Sequence, residues 1–250
     1  MKTHPVMEVF GPTVQGEGPL AGSLTHFVRL GACDYRCTWC DSLFAVIPEQ
    51  VKEHATKMNP FQIVDALNAL TPSAPWVTIS GGNPALHDLT DLSQRLQSHG
   101  WRVAVETQGS VWRDWLSFVD MLIVSPKPPS SRMATDRHAK QTFEFFGHLN
   151  DHSAAYQWAY KGVVFTREDF EWHVRLHEQL RMTYSFQGGG FYLSAGTDPF
   201  HGESLKDTRN GVSTNYKQLC EWVIDDPAVS QYVRVLPQLH VLAWGHKRGV

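Results

Sequence analysis

Thr25-His26-Phe27-Val28-Arg29-Leu30-Gly31-Ala32-Cys33-Asp34-Tyr35-Arg36-Cys37-Thr38-Trp39-Cys40-Asp41-Ser42 carries a short β-rich run directly into a loop holding three of the four cysteines of the 250-residue chain. Residues 25–30 read as a strand. The loop behind them sets three thiolates at C-x3-C-x2-C spacing and leaves a tetrathiolate site one ligand short. A [4Fe-4S] cluster held by three Cys keeps one iron open to bind a small molecule, whereas four Cys close it into an electron carrier. Cys33, Cys37 and Cys40 therefore read as a catalytic metal centre. Two other uses of cysteine compete with this reading. Disulfides suit an oxidising compartment, and the opening MKTHPVMEVF lacks the apolar core of a signal peptide, so a reducing cytoplasm is expected. Zinc wants a fourth ligand, which Cys220 or one of 13 His could supply. Structural zinc sites usually pair two close ligands with two more, unlike a triplet with a distant single.

Outside the loop, strand and helix signals alternate. Val6 to Phe10 and Thr25 to Leu30 read as strands around a Gly-rich turn. Asn59-Pro60 opens a helix with a cap and a first-turn proline, and Phe61, Val64, Leu67 and Leu70 fall on one face. Trp76 to Ile79 is β-rich and ends at Gly81-Gly82. Leu89, Leu92 and Leu96 mark a helix closed by Gly100, and Arg102 to Glu106 the next strand. Met121–Val124, Gly162–Phe165, Phe191–Leu193 and Val233–Leu236 continue the strands, with helices near Thr135–Leu149, Arg167–Leu180 and Ser213–Ile224. Such alternation implies parallel strands with crossover helices, and a full or partial βα barrel is the economical fold.

Composition narrows the function. A chain with 42% hydrophobic and 19% charged residues can bury one sizeable core, so a single domain is expected. The formal net charge of −3 offers no basic stripe for a nucleic-acid backbone, and a small-molecule substrate fits better. No apolar run is long enough to cross a membrane, so no membrane partner is expected. In a βα barrel, catalytic groups gather at the C-terminal ends of the strands. Five polar or glycine-rich segments fall there: the cysteine loop, Ser80-Gly81-Gly82-Asn83-Pro84, Glu106-Thr107-Gln108-Gly109, Ser125-Pro126-Lys127-Pro128-Pro129 and Leu193-Ser194-Ala195-Gly196. Each alone reads as a turn, but together they point at one mouth. Cys220 lies in a helical stretch, where a buried small hydrophobe is the expected role.

The cysteine spacing resembles that of radical S-adenosylmethionine (SAM) enzymes. The run Phe10-Gly11-Pro12-Thr13-Val14-Gln15-Gly16-Glu17-Gly18, Phe27-Val28-Arg29, Cys40-Asp41-Ser42, Thr78-Ile79-Ser80-Gly81-Gly82-Asn83-Pro84, Glu106-Thr107-Gln108-Gly109, Ser125-Pro126-Lys127 and the tail Leu236-Pro237-Gln238-Leu239-His240 resemble, in order, the 7-carboxy-7-deazaguanine synthase family. The resemblance implies a partial (β/α) barrel of the radical SAM type over residues 1–250, with the C-terminal tail closing the substrate pocket. It implies conversion of 6-carboxy-5,6,7,8-tetrahydropterin to 7-carboxy-7-deazaguanine with loss of ammonia, a step toward deazapurines such as queuosine. In that family the open iron holds SAM, whose reductive cleavage gives a 5′-deoxyadenosyl radical. The radical takes hydrogen from C6 of the pterin, and its return regenerates SAM, so no side chain is implied as catalytic beyond the cluster and cofactor.

Residue by residue, the resemblance assigns Ser42 to a Mg2+ ion that helps hold the substrate carboxylate, with Arg29 offering its fork to the same group. It assigns Val14, Gln15, Gly16, Glu17, Ser80, His240 and the carboxylate of Val250 to the pterin. Gly82, Ser125, Pro126, Lys127, Leu193, Ser194, Ala195 and Gly196 fall to SAM. Asn83 stands where most radical SAM enzymes carry an acidic residue, which leaves any contact to SAM from this position open. An electron donor such as a flavodoxin and a homodimer are implied partners. Two alternatives are carried: a glycyl-radical-enzyme activase, and a non-catalytic iron–sulfur or zinc module.

Overall fold

The computed structural model describes residues 2–152, 157–186, 188–197 and 204–250. Among these, nine strands form one sheet: β1 (His4–Val14), β2 (Leu24–Leu30), β3 (Thr56–Met58), β4 (Trp76–Gly81), β5 (Arg102–Thr107), β6 (Met121–Val124), β7 (Gln157–Val164), β8 (Gly190–Ala195) and β9 (Val233–Leu236). Seven helices accompany them: α1 (Pro48–His54), α2 (Pro60–Asn68), α3 (Thr90–Ser98), α4 (Asp136–His152), α5 (Arg167–Thr183), α6 (Leu205–Ile224) and α7 (Leu239–Trp244).

The strand order is β3-β1-β2-β4-β5-β6-β7-β8-β9. From β2 through β9, neighbours in this order run parallel, in register from Thr25 opposite Trp76 to Ser194 opposite Leu236. β1 pairs antiparallel with both β2 and β3, and the sheet does not close on itself. This is the expected partial barrel of parallel strands and crossover helices, with an antiparallel margin that the strand signals did not announce.

Parallel strands buried on both faces need near-continuous apolar runs. Met121-Leu122-Ile123-Val124 is buried throughout, and Trp76-Val77-Thr78-Ile79-Ser80 likewise. The helices close the outer face with Ile63, Val64 and Leu67 from α2, Leu92 and Leu96 from α3, Phe145, Phe146 and Leu149 from α4, and Phe170, Val174 and Leu180 from α5. Truncating a ring as fully enclosed as Phe146 to alanine costs about 3–5 kcal/mol.

Asn59 caps α2 as expected: its side chain accepts from Gln62 N while Gln62 returns a bond to Asn59 N, and Pro60 fills the first helical position. Phe61 departs from the expected inner face. It is 45% exposed, and the Arg95 guanidinium lies 3.6 Å above its ring centre. β1 continues four residues past Phe10 to Val14, because bulges between Phe10 and Thr13 let the ladder resume. α6 begins at Leu205, well before Ser213, capped by Ser204, whose Oγ accepts from Asp207 N. Among the described residues, no helix is long and apolar enough to cross a membrane.

Candidate active site

The C-terminal ends of β2, β4, β5, β6 and β7 converge, with residues 14–17 and 238–250, on a cavity of about 500 Å³. The cysteine loop leaves β2 at Leu30 and is pinned onto the end of β4. Gly82 N donates to Leu30 O at 2.9 Å and Asn83 N to Ala32 O at 2.7 Å. A Cβ on Gly81 would fall on the Leu30 backbone and one on Gly82 on the Ala32 carbonyl, so the close crossing itself demands the glycine pair. Asn83 is fully buried and committed to the same task. Its Nδ2 donates to Asp34 Oδ1 at 2.9 Å and to Ser110 Oγ at 3.0 Å, and its Oδ1 accepts from Thr107 Oγ1 at 2.8 Å. Gln108 Nε2 donates to Asp34 Oδ1 at 2.6 Å and reaches Cys33 Sγ at 3.7 Å. The Asn83 amide thus ties the loop to β5 through Thr107 and to Ser110 beyond it.

Cys33, Cys37 and Cys40 are free thiols that all line the cavity. Burial pushes Cys37 up to about 12 and Cys40 up to about 11, and raises Cys33. Lys127 draws all three the other way too weakly to offset burial. Only a bound cation makes such thiols good ligands, because metal coordination deprotonates them outright. Among the described residues, no three His, Cys, Asp or Glu side chains converge on the position of a single ion. A cubane distributes its thiolates over separate irons, and a loop carrying three unpaired thiols at a cavity wall fits that demand.

On one side of the loop, Arg29 donates from Nε to Glu8 Oε2 at 2.8 Å and from Nη1 to Ser42 Oγ at 3.1 Å. Ser42 Oγ in turn donates to Asp41 Oδ1 at 2.9 Å, which places two hard oxygens side by side at the cavity. The tail is held from the same point: Arg248 donates to Glu8 Oε1 from Nε at 3.1 Å and from Nη2 at 2.7 Å, and its guanidinium lies over the Phe44 ring at 3.5 Å. Glu8 thus fastens Arg29 and the tail together, and Gly245 through Val250 form part of the wall.

The floor is a closed network. Lys161 Nζ donates to Glu17 Oε2 at 2.8 Å and Glu106 Oε2 at 3.0 Å. Gln238 Nε2 donates to Glu17 Oε1 at 2.8 Å, and Gln15 Nε2 to Glu106 Oε1 at 3.1 Å. Gln15 Oε1 accepts from Gly16 N at 2.8 Å, and Gly16 O accepts from Leu239 N at 3.1 Å, so the Gly16 backbone is engaged within the protein. His240 packs where a Gly16 Cβ would be. Across the cavity, Lys127 Nζ donates to Ser125 Oγ at 2.9 Å, and the Trp39 and Phe165 rings meet tilted, with centres 4.9 Å apart. Ser80 Oγ and Thr197 Oγ1 are buried without a protein partner, and both residues line the cavity.

The cavity wall thus contains Val14, Gln15, Gly16, Glu17, Arg29, the three loop cysteines, Ser42, Ser80, Gly82, Ser125, Lys127, His240 and Val250. Pro126, Leu193, Ser194, Ala195 and Gly196 are not among its lining residues. The reason is packing: Leu193 and Ala195 belong to the apolar core behind β8, and Gly196 is fixed by N–H donation to Val164 O and by Asn215 Nδ2 donating to its carbonyl. Thr197, one residue further, reaches the cavity instead. Sequence reasoning missed Lys161 altogether and quoted Glu106 and Gln238 without a role. A lysine inside the run Trp158-Ala159-Tyr160-Lys161-Gly162-Val163-Val164 was the available signal, since lysine is almost never fully buried unless paired.

No protein-family model matches the chain. The 7-carboxy-7-deazaguanine synthase of Bacillus cereus is 40% identical over 255 residues, covering all of both chains. That of Bacillus subtilis is 39% identical over all of this chain and 99% of its own. Among solved structures, QueE from Escherichia coli superposes with a TM-score of 0.64 at 19% identity over 94% of each chain. SuiB from Streptococcus suis, bound to S-adenosylmethionine, gives 0.53 at 13% identity, covering 84% of this chain and 49% of its own. The two structures share the fold, and the two relatives match the sequence from end to end. An activase and a passive iron–sulfur or zinc module are thereby set aside, and the chain belongs to the 7-carboxy-7-deazaguanine synthase family.

Proposed function

We propose that the cavity converts 6-carboxy-5,6,7,8-tetrahydropterin to 7-carboxy-7-deazaguanine and ammonia, a ring contraction serving deazapurine synthesis such as that of queuosine. The observation that carries this is the meeting of the triple-cysteine loop and an acceptor-rich floor on one cavity. A [4Fe-4S] cluster on Cys33, Cys37 and Cys40, with SAM, would supply hydrogen-atom abstraction at that point. The chain's own residues bind, orient and exclude water. Arg29 is fixed by Glu8 and presents its planar donors to the substrate carboxylate. Ser42, with Asp41 beside it, offers hard oxygen to a Mg2+ ion, which keeps most of its shell for water and substrate. Glu17 and Glu106 face the amino-pyrimidinone edge, with Val14, Gln15, Gly16, Ser80, His240 and Val250 around it. Ser80 brings a buried hydroxyl that lacks a protein partner. Gly82, Ser125, Lys127 and Thr197 take the polar groups of SAM, and Phe10, Phe27, Phe44 and Trp39 keep the cavity dry.

The proposal includes one domain whose tail closes the pocket, supported by the single sheet and by the Arg248–Glu8 pair that holds the tail. It also includes a cytoplasmic setting, which suits a chain whose four cysteines are all free thiols, and a one-electron donor of the flavodoxin kind and a homodimer, these two supported by the resemblance alone. The test is anaerobic reconstitution with iron and sulfide, chemical reduction, and incubation with SAM, Mg2+ and carboxytetrahydropterin. Ultraviolet detection of the deazaguanine acid with release of ammonia is the expected outcome. Reduced, cluster-loaded enzyme that leaves the pterin unchanged overturns the reading.

A further inference from the structure

Lys161 lies in the middle of β7 with its side chain 5% exposed, yet it carries a full charge against two carboxylates. Buried ion pairs rarely stabilise a fold more than well-packed apolar residues of the same volume, because desolvation cancels much of the Coulombic gain. A purely structural need would be met as well by apolar side chains at all three positions, 17, 106 and 161. The arrangement around Lys161 points elsewhere. Its ammonium holds one oxygen each of Glu17 and Glu106, and the amides of Gln238 and Gln15 hold the other two. All five side chains line the cavity, and their formal charge is −1. The floor is therefore a fixed pair of acceptors, held by the Lys161 ammonium and the Gln15 and Gln238 amides.

We propose that Lys161 is a positioning residue that sets substrate specificity: it locks Glu17 and Glu106 as two ionised acceptors, so that the floor admits a heterocycle edge with adjacent N–H donors and rejects one with carbonyls. This rests on the pterin reading above and gives that reading its discriminating element. Both carboxylates lie within hydrogen-bond reach of the one ammonium, and without that cation their mutual repulsion in a buried site favours a proton on one of them, which turns it into a donor. Losing the ammonium thus changes the hydrogen-bond pattern of the floor as well as its strength. The charged and titratable groups facing the pair are Lys161 from β7 and His240 from α7. Burial alone would raise Glu17, but Lys161 and His240, with hydrogen bonds from Lys161 and Gln238, hold it at about 2. Burial alone would lower Lys161, and Glu106 and Glu17 instead hold it well above the ordinary lysine range.

The test compares two stable probes on the cluster-loaded enzyme by isothermal titration calorimetry: 6-carboxypterin, and 6-carboxylumazine, in which a carbonyl replaces the 2-amino group. Wild-type enzyme is expected to prefer the pterin by roughly tenfold to a hundredfold, the effect of one mismatched bond to a charged partner. Lys161→Met is expected to lose about tenfold or more of that preference and to make pterin affinity fall between pH 8 and 6, as the shared proton binds. With carboxytetrahydropterin its KM rises while kcat holds within a few-fold, and Lys161→Arg recovers part of the preference. A structural role lowers the folded fraction and leaves the ratio alone. Folded Lys161→Met with the wild-type ratio overturns the inference and leaves the pterin reading standing; wild-type enzyme that binds neither probe overturns the pterin reading. If Lys161→Met fails to fold, the Lys161→Met/Glu106→Gln double variant carries the same comparison. Carbon-13 NMR of wild-type glutamate carboxyls supplies an independent check: Glu17 stays ionised down to pH 4, and a Glu17 titration above pH 4 overturns the proposal.

Discussion

Tyr160 and Lys161 are neighbours on β7, both buried, and they face opposite sides of the sheet with opposite solutions to burial. Tyr160 points into the outer core, where its hydroxyl donates to His173 Nδ1 at 2.7 Å and His173 Nε2 donates to Val163 O at 3.3 Å. Phe146 stacks on the tyrosine ring and Phe191 meets it edge-on. Burial drives His173 down to about 3 and Tyr160 well up, so this side is held neutral. Lys161 points into the cavity and is held charged by two carboxylates. The same degree of burial thus yields a quiet core on one face and a fixed field on the other. What decides is whether the opposite charge is within hydrogen-bond reach.

The largest effect is expected from attacking the charged side. Lys161→Met leaves two buried carboxylates without their cation and should cost about 3–5 kcal/mol in urea unfolding at pH 7. A loss below about 1 kcal/mol would show the network to be far less coupled than its distances imply. Acid attacks the neutral side next. His177, stacked on Phe191 at 4.0 Å, is also lowered by burial, to about 4. Unfolded histidine takes its proton near pH 6.5, whereas His173 and His177 refuse theirs until about 3 and about 4, so stability is full above pH 6.5 and declines below it. Between pH 6.5 and 5 each should contribute a loss of about 2 kcal/mol. His4, His26 and His87, also lowered by burial, add in the same direction. Glu17 loses stability only below its unfolded value of 4.5, so unfolding measured above pH 5 isolates the histidines. A His177→Phe variant should show a shallower slope, and an unchanged slope would remove His177 from the account.

Tyr160→Phe is a smaller break, leaving His173 Nδ1 unpaired in the core for about 1–2 kcal/mol. Unlike Lys161→Met, it should leave the preference between carboxypterin and carboxylumazine untouched, which sharpens the contrast between the two faces. Arg248→Ala should move the unfolding midpoint least, by less than about 1 kcal/mol, because the arginine side chain is 58% exposed. Its effect should appear as faster protease cleavage after residue 240, and an unchanged cleavage rate would mean that Glu8 does not hold the tail.

Much of this was legible in the sequence for physical reasons. The cysteine loop announces itself by spacing, the parallel strands by apolar runs buried on both faces, and α2 by its Asn59-Pro60 start. α1 escaped because none of its residues is buried, so no apolar stripe marks it. β3 is a three-residue edge whose pairing with β1 no local pattern encodes. Leu193-Ser194-Ala195-Gly196 follows the same strand-then-glycine grammar as the segments that line the cavity, yet none of the four is among the lining residues. The grammar does not specify which residue of the turn reaches the cavity, and Thr197 does. Lys161 stayed hidden because its partners lie 144 and 55 residues away in the chain.

The clamp between Glu8 and Arg248 spans 240 positions, and Gln238 joins the floor from nearly as far along the chain. During synthesis, β1, β2 and the cysteine loop emerge from the ribosome long before residues 238–250, which wall the cavity above them. A nascent chain already able to take up iron and sulfide would still lack its last wall. Cluster insertion and substrate capture can therefore be separated in time, with the second awaiting synthesis of residues 238–250.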